Sequence, residues 1–116
     1  MFGLDSKEGF TEIVEGIRIK AIARGERTIM TKFLLRAGAA LSEHAHPNEQ
    51  IGYLVSGRMR LYIGNKSREV GPGDSWCVGA EVRHKADVLE DSMALEVFAP
   101  SRPDYLKYLN ARDIVE

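Results

Sequence analysis

The amino-acid sequence predicts an all-β fold, a sandwich or barrel ending in a short helical tail, and three observations carry that prediction. From about Thr11 to Pro100 the chain is a series of short runs rich in Ile, Val, Leu, Phe and Tyr. Gly, Pro, Asn or Asp interrupts them roughly every eight to twelve residues. One run, Gly57-Arg58-Met59-Arg60-Leu61-Tyr62-Ile63-Gly64, alternates clearly, with Met59, Leu61 and Ile63 on one face and Arg58, Arg60 and Tyr62 on the other. A helical stripe occurs only beyond these runs, where Tyr105, Leu106, Tyr108 and Leu109 follow Asp104, a residue able to cap a helix.

The alternating run implies a strand with one buried face. Gly64-Asn65-Lys66, Gly71-Pro72-Gly73-Asp74 and Leu89-Glu90-Asp91-Ser92 are the expected turns: Gly tolerates positive φ, Pro presets φ, and Asn or Asp bonds its own backbone. Antiparallel hairpins should follow. The tail from Asp104 to Arg112 is expected to be a helix packed on the barrel exterior or on a second subunit. At 116 residues the chain fits one domain, 1–116, with a barrel core over about 11–100 and a tail over 101–116. It shows no internal repeat, low-complexity tract or linker.

Composition narrows the function classes. With 44% hydrophobic and 28% charged residues the chain is far from the profile of a disordered protein. Sixteen basic against seventeen acidic side chains leave a formal charge of −1, so no broad basic field draws in nucleic acid or anionic lipid. The single cysteine, Cys77, excludes an internal disulfide and, inside an apolar run, reads as a small hydrophobe. Met1-Phe2-Gly3-Leu4-Asp5 lacks the order of a signal peptide, and no apolar run nears the roughly 18 residues of a membrane span. A soluble, cytoplasmic protein is expected.

The three histidines carry the chemistry. His44 and His46 stand two apart, a spacing that on a strand points both imidazoles to one face, within reach of one ion at about 2.0–2.2 Å. Pro47-Asn48 then turns the chain, and the returning strand offers Glu49 or Gln50 but not both, since neighbours face opposite ways. Gln50 fits the spacing better. Any one of these histidines taken alone reads first as a surface residue on a loop rim; the arrangement as a whole, with His84, points to a metal.

These residues resemble the cupin superfamily over nearly the whole chain. The first cupin motif is met by Gly38, His44, His46, Gln50 and Gly57, with Gln50 where Glu is commonest. The second is met in part: Pro72-Gly73-Asp74 and His84 are in register, while Gly79, Glu81 and Val88 stand where Pro, Gly and Asn are usual. The resemblance implies a double-stranded β-helix, or jelly-roll barrel, with His44, His46, Gln50 and His84 projecting into one end of its interior. Small cupins commonly pair, so a homodimer is expected on the same ground.

A finer resemblance lies in Ala94-Leu95-Glu96-Val97-Phe98-Ala99-Pro100-Ser101-Arg102-Pro103-Asp104-Tyr105-Leu106, together with Val70-Gly71-Pro72-Gly73-Asp74-Ser75 and His44 to Gln50. It is similar to the KdgF-type pectin-degradation cupins, which convert 4,5-unsaturated uronates into linear ketonised sugars on a metal held by three His and one Gln. The resemblance implies functional roles for Glu96, Phe98 and Arg102, with Glu96 one methylene longer than the family's usual Asp.

Three neutral imidazoles and a neutral amide leave the charge of a divalent ion uncompensated, which favours Lewis-acid work on an oxygen-rich small molecule. The ligand types suit Zn, Fe, Ni, Mn or Co without choosing among them. For uronate ketonisation, Arg102 would grip the substrate carboxylate, Glu96 would transfer protons and Phe98 would close a wall. Plain alternatives exist. Phe98 alone reads as core packing, Glu96 as a solvated side chain if Phe98 faces outward, and Arg102 as a surface arginine after Pro100. Tyr53, Tyr62, Trp76 and Arg60 are candidates for the barrel mouth without an assignment, since aromatic residues in strands usually serve the core. Two further functions compete with the sugar-acid enzyme: an iron-dependent dioxygenase and a non-catalytic barrel that binds a small ligand.

Overall fold

Two long strands organise the chain. In the computed structural model, which describes residues 1–116, the strands are β1 Phe2–Gly3, β2 Thr11–Val14, β3 Ile17–Arg24, β4 Ile29–Leu35, β5 Ala40–His44, β6 Glu49–Ile63, β7 Lys66–Val70, β8 Ser75–Val78, β9 His84–Ala99 and β10 Ile114–Val115. β6 and β9 pair antiparallel along nearly their whole lengths, from Glu49↔Ala99 to Ile63↔His84. Each then takes a different neighbour with each half. β6 pairs with β8 over Gln50–Tyr53 and with β7 over Met59–Ile63. β9 pairs with β5 near its start and with β4 over Ser92–Phe98.

The result is two faces of a jelly roll sharing two strands. One face runs β2-β3-β4 onto the second half of β9, the first half of β6 and β8; the other joins β5, the first half of β9, the second half of β6 and β7. The expectation of an all-β double-stranded β-helix holds. Of the expected turns, Gly64-Asn65 makes the β6–β7 hairpin, and Gly71 to Asp74 carries the chain between faces, closed by Gly71 N–H donating to Asp74 Oδ2 at 2.8 Å.

Leu89-Glu90-Asp91-Ser92 is not a chain reversal. It lies inside β9, where the register slips against Ser56–Arg58 and both strands bend from one face to the other. Turn-forming residues serve a bend as well as a reversal, because both need local departures from the pleat. Gly57 adopts φ +95° there, and a Cβ on it would collide with Ser92 Oγ. That hydroxyl accepts from Arg58 N–H at 3.1 Å and donates to the Glu90 carbonyl at 2.7 Å, replacing ladder bonds lost at the bend.

Between the faces sit Ile17, Ile19, Phe33, Leu35, Leu54, Met59, Val70, Val88 and Ala94. Ile17, Ile19 and Leu54 are fully buried, each worth about 1.5–3 kcal/mol over exposure. Met59, Leu61 and Ile63 do face inward as their alternation predicts. Cys77 does not behave as a buried hydrophobe: β8 turns Trp76 and Val78 inward and leaves Cys77 exposed on the outer side. Tyr53 is likewise on the outer surface, and Tyr62 lies under the Lys85 ammonium.

The tail departs from the expected α-helix. It forms two 3₁₀ turns, Pro103–Tyr108 and Ala111–Asp113, and the position before the first is Arg102, with no side-chain cap from Asp104. In a 3₁₀ turn residues three apart eclipse, so Tyr105 and Tyr108 share one face against Ala21, Ile29 and Phe98, and Leu106 is left exposed.

Lys20 on β3 ties both chain ends together. It is 1% exposed although it points away from the main core, because segments from each terminus cover it. Its ammonium donates to the Ser6 and Glu8 carbonyls at 2.9 Å, to Ser6 Oγ at 3.2 Å and to Asp113 Oδ2 at 3.0 Å, and lies 4.7 Å from the centre of the Phe10 ring. β1 pairs with β10 just beyond. Lys20→Met keeps the stem and strands those acceptors, so the thermal midpoint should fall by about 5 °C or more. Hydrogen exchange should quicken first at Leu4 and over 111–115; unchanged exchange there would show that Lys20 does not hold the ends.

Candidate metal centre

The histidines converge where the chain passes between the two faces. His44 ends β5, His84 begins β9 directly opposite it, and His46 lies in the connection to β6 rather than on a strand. His44 and His46 are therefore brought together by the chain as it leaves β5, not by a shared strand face. One ring nitrogen from each of the three falls within 4.8 Å of the others. Glu81 fixes the connection: its N–H donates to the His46 carbonyl at 2.8 Å, and it sits at φ 65°. A glutamate thus holds a left-handed backbone at the position where the cupin motif usually has glycine.

Each imidazole is oriented by a backbone carbonyl two residues away. His44 Nδ1 meets the Ser42 carbonyl at 2.8 Å, His46 Nδ1 that of Asn48 at 2.9 Å and His84 Nδ1 that of Val82 at 2.9 Å. A carbonyl only accepts, so each Nδ1 is the donor in these contacts, and Nε2 is the ring nitrogen left to face the common centre. His84 Nε2 is buried without a hydrogen-bond partner. Burial holds the pKa values of His46 and His84 below the ordinary range, aided for His46 by the Arg102 charge and for His84 by His44. Low pKa values keep both rings neutral, the form that binds metal.

Gln50 and Glu96 complete the inner layer. Gln50 is buried while Glu49 is exposed, as strand parity predicts. Gln50 Nε2 donates to Glu96 Oε2 at 2.8 Å, which turns the amide oxygen to within 3.0 Å of His46 Nε2. Two acceptors facing each other at that distance repel unless a cation lies beside both. Three lone pairs and an amide oxygen converging without a donor fit a divalent ion.

Glu96 and Phe98 both face inward, at 8% and 2% exposure, which disposes of a solvated Glu96. Trp76 Nε1 donates to Glu96 Oε1 at 3.2 Å, so both carboxylate oxygens are engaged. Burial nevertheless pushes the Glu96 carboxyl up to about 7, against the pull of those two bonds. Arg102 lies at the same cavity, its guanidinium 3.9 Å from the centre of the Tyr105 ring and 5.3 Å from that of Phe98, and pairs with Asp104 at 2.9 Å. It is not a free surface arginine. Trp76 and Tyr105 are the site residues that the sequence leaves unassigned; the Trp76 contact with Glu96 spans 20 positions and carries no local signal.

A model of the cupin domain matches residues 31–99, which span β4 to the end of β9. The chain belongs to the cupin family. An uncharacterized protein of Streptomyces coelicolor is 29% identical over 100 residues, covering 85% of this chain and 94% of that one. Among solved structures, KdgF from a Halomonas species superposes with a TM-score of 0.85 at 27% identity, over 90% of this cupin and 98% of KdgF. An RmlC-like cupin from Shewanella frigidimarina also reaches 0.85, at 23% identity over 90% and 94% of the two chains.

Two measurements test the centre. Co²⁺ should bind one per chain and quench the fluorescence of Trp76, the sole tryptophan, and His46→Ala should abolish the quenching; quenching that persists would place the metal elsewhere. In the metal-free protein the unfolded Glu96 carboxyl titrates near 4.5 and the folded one near 7. The protonated carboxyl therefore contributes its full stability below about pH 4.5, and that contribution is lost as pH rises to about 7. Wild type should lose roughly 3 kcal/mol across that window relative to Glu96→Gln, measured by urea unfolding. A pH-independent difference would refute the burial effect.

Proposed function

We propose that this cupin holds one divalent ion on His44, His46, His84 and Gln50 and acts on a sugar acid, opening and ketonising a 4,5-unsaturated uronate of the kind pectin degradation releases. The observation that carries this reading is that Glu96 and Arg102, an acid–base group and an anion-binding group, line the same cavity as His44, Gln50 and His84. The likeness to KdgF over nearly all of both chains supports it.

A bound divalent ion would supply Lewis acidity toward the sugar oxygens. Arg102 offers a planar fork for the substrate carboxylate, already fixed by Tyr105 and Asp104. The reaction is an isomerisation. The anomeric hydroxyl loses a proton as the bond from the anomeric carbon to the ring oxygen breaks, leaving an aldehyde and an enolate, and the enolate then gains a proton on carbon to become a ketone. Nothing is oxidised and no water is consumed, so one group that takes and returns a proton suffices. Glu96, whose carboxyl burial raises in the metal-free protein, is the group placed to take that proton and return it. Phe98 walls the cavity beside it and keeps water from the carboxyl.

Pairing of two copies belongs to the same proposal. The outer face of β6 leaves Ile51, Tyr53 and Val55 between 42% and 55% exposed, an apolar stripe suited to burial between subunits.

Protein loaded in turn with Zn, Mn, Fe, Ni and Co should consume unsaturated galacturonate with loss of its ultraviolet absorbance. Glu96→Gln should keep its metal and lose at least about 100-fold in kcat. Arg102→Met should raise KM roughly 10- to 100-fold. No turnover with any metal, or oxygen uptake that appears on iron loading, would overturn the reading in favour of a binding barrel or a dioxygenase.

A further inference from the structure

Trp76, Gly52 and Glu96 stand in one row across three strands. Trp76 on β8 is directly opposite Gly52 on β6, and Gly52 is directly opposite Glu96 on β9. Residues opposite one another share a face of the sheet, and adjacent strands lie about 4.8 Å apart, so Trp76 and Glu96 are separated by roughly 10 Å of sheet. A side chain on the middle residue would block the way between them.

Gly52 removes that block. A Cβ built on it would collide with Nε1, Cε2 and Cζ2 of the Trp76 indole. The ring therefore lies across β6 where the glycine has no side chain, and its N–H arrives 3.2 Å from Glu96 Oε1. φ at Gly52 is not in the left-handed region, so the backbone conformation does not call for glycine. The space taken by the indole does.

We infer that Trp76 is a positioning residue for the metal centre, and that Gly52 is the glycine that admits it. The other Glu96 oxygen accepts from Gln50 Nε2 at 2.8 Å, and this bond aims the Gln50 amide oxygen at the histidine cluster. Trp76 thus acts through two hydrogen bonds on a proposed metal ligand. Without its N–H the carboxylate keeps only the Gln50 amide as side-chain donor, so the group that orients this amide is itself held less firmly. The inference rests on Gln50 being a ligand, and it adds two residues to which the family motifs assign nothing here.

Trp76→Phe removes the donor and keeps an aromatic wall; Gly52→Ala keeps the donor and displaces it. Co²⁺ is the probe, read by its affinity in competition with a chelator and by its ligand-field absorption bands. Both variants should bind Co²⁺ about 10-fold more weakly than wild type, with altered bands. Tryptophan emission in Gly52→Ala should shift as the indole moves. In the uronate assay kcat should fall in both with KM little changed.

Unchanged Co²⁺ affinity and bands in Trp76→Phe, with only a lower thermal midpoint, would reduce Trp76 to packing and overturn the inference. If Gly52→Ala fails to fold, Gly52→Ala combined with Trp76→Val decides: recovery of folding supports the steric account, and failure of the double variant overturns it. Co²⁺ binding that is indifferent to His46→Ala would instead sink the metal centre itself. Absent turnover in wild type would bear on the reaction alone.

Discussion

The pairing of β6 with β9 is the constraint on which the site depends. Both strands are too long for one face of the barrel, so each must bend at Gly57 and Ser92 and serve two sheets. The bend turns a linear pairing into an enclosure. At the open end of that enclosure, His84 at the start of β9 faces the first half of β6 and the last half of β9 across the interior. Gln50, Gly52, Glu96 and Phe98 all come from those two segments, in alternate rungs of one ladder, Gln50 opposite Phe98 and Gly52 opposite Glu96. A one-residue slip in that register would turn the first two outward and leave the last two behind.

Polar groups in such an interior are costly unless satisfied, and the site satisfies them unevenly. Every Nδ1 has a carbonyl, both Glu96 oxygens have donors, and the Gln50 amide nitrogen has an acceptor. What remains over is one kind of group only: lone pairs, on His84 Nε2 and around His46 Nε2 and Gln50 Oε1. A bound cation answers an imbalance of that sign. The surrounding hydrogen bonds hold the acceptors in place before anything binds, which lowers the reorganisation that binding requires.

How much of this was legible in the sequence follows from the range of each interaction. Alternation at Met59, Leu61 and Ile63, the two-residue gap from His44 to His46, and the parity that buries Gln50 rather than Glu49 are local patterns, and they survive folding. Leu89 to Ser92 has the composition of a turn and the structure of a bend, because the same residues serve both and only a partner strand tells them apart. The tail has a helical stripe, yet the Tyr105 and Tyr108 contacts with Phe98 select the tighter 3₁₀ spacing. Lys20 is buried by segments from both chain ends that no pattern in β3 announces. The hydrogen bond between Trp76 and Glu96 spans 20 positions and crosses a third strand, so only the folded register brings it into view.

Glu96 itself connects the departure in sequence to the geometry. Where the KdgF-type cupins usually carry Asp, this chain has an arm longer by one methylene, about 1.5 Å. A shorter arm would draw the carboxylate back toward β9, away from an indole N–H already at 3.2 Å, near the outer limit for a useful bond. The longer arm and the Trp76 donor are therefore matched: Glu96 reaches far enough to be held from β8 and from Gln50 at once. A carboxylate gripped at both oxygens keeps its direction, which the proton transfer proposed for Glu96 requires.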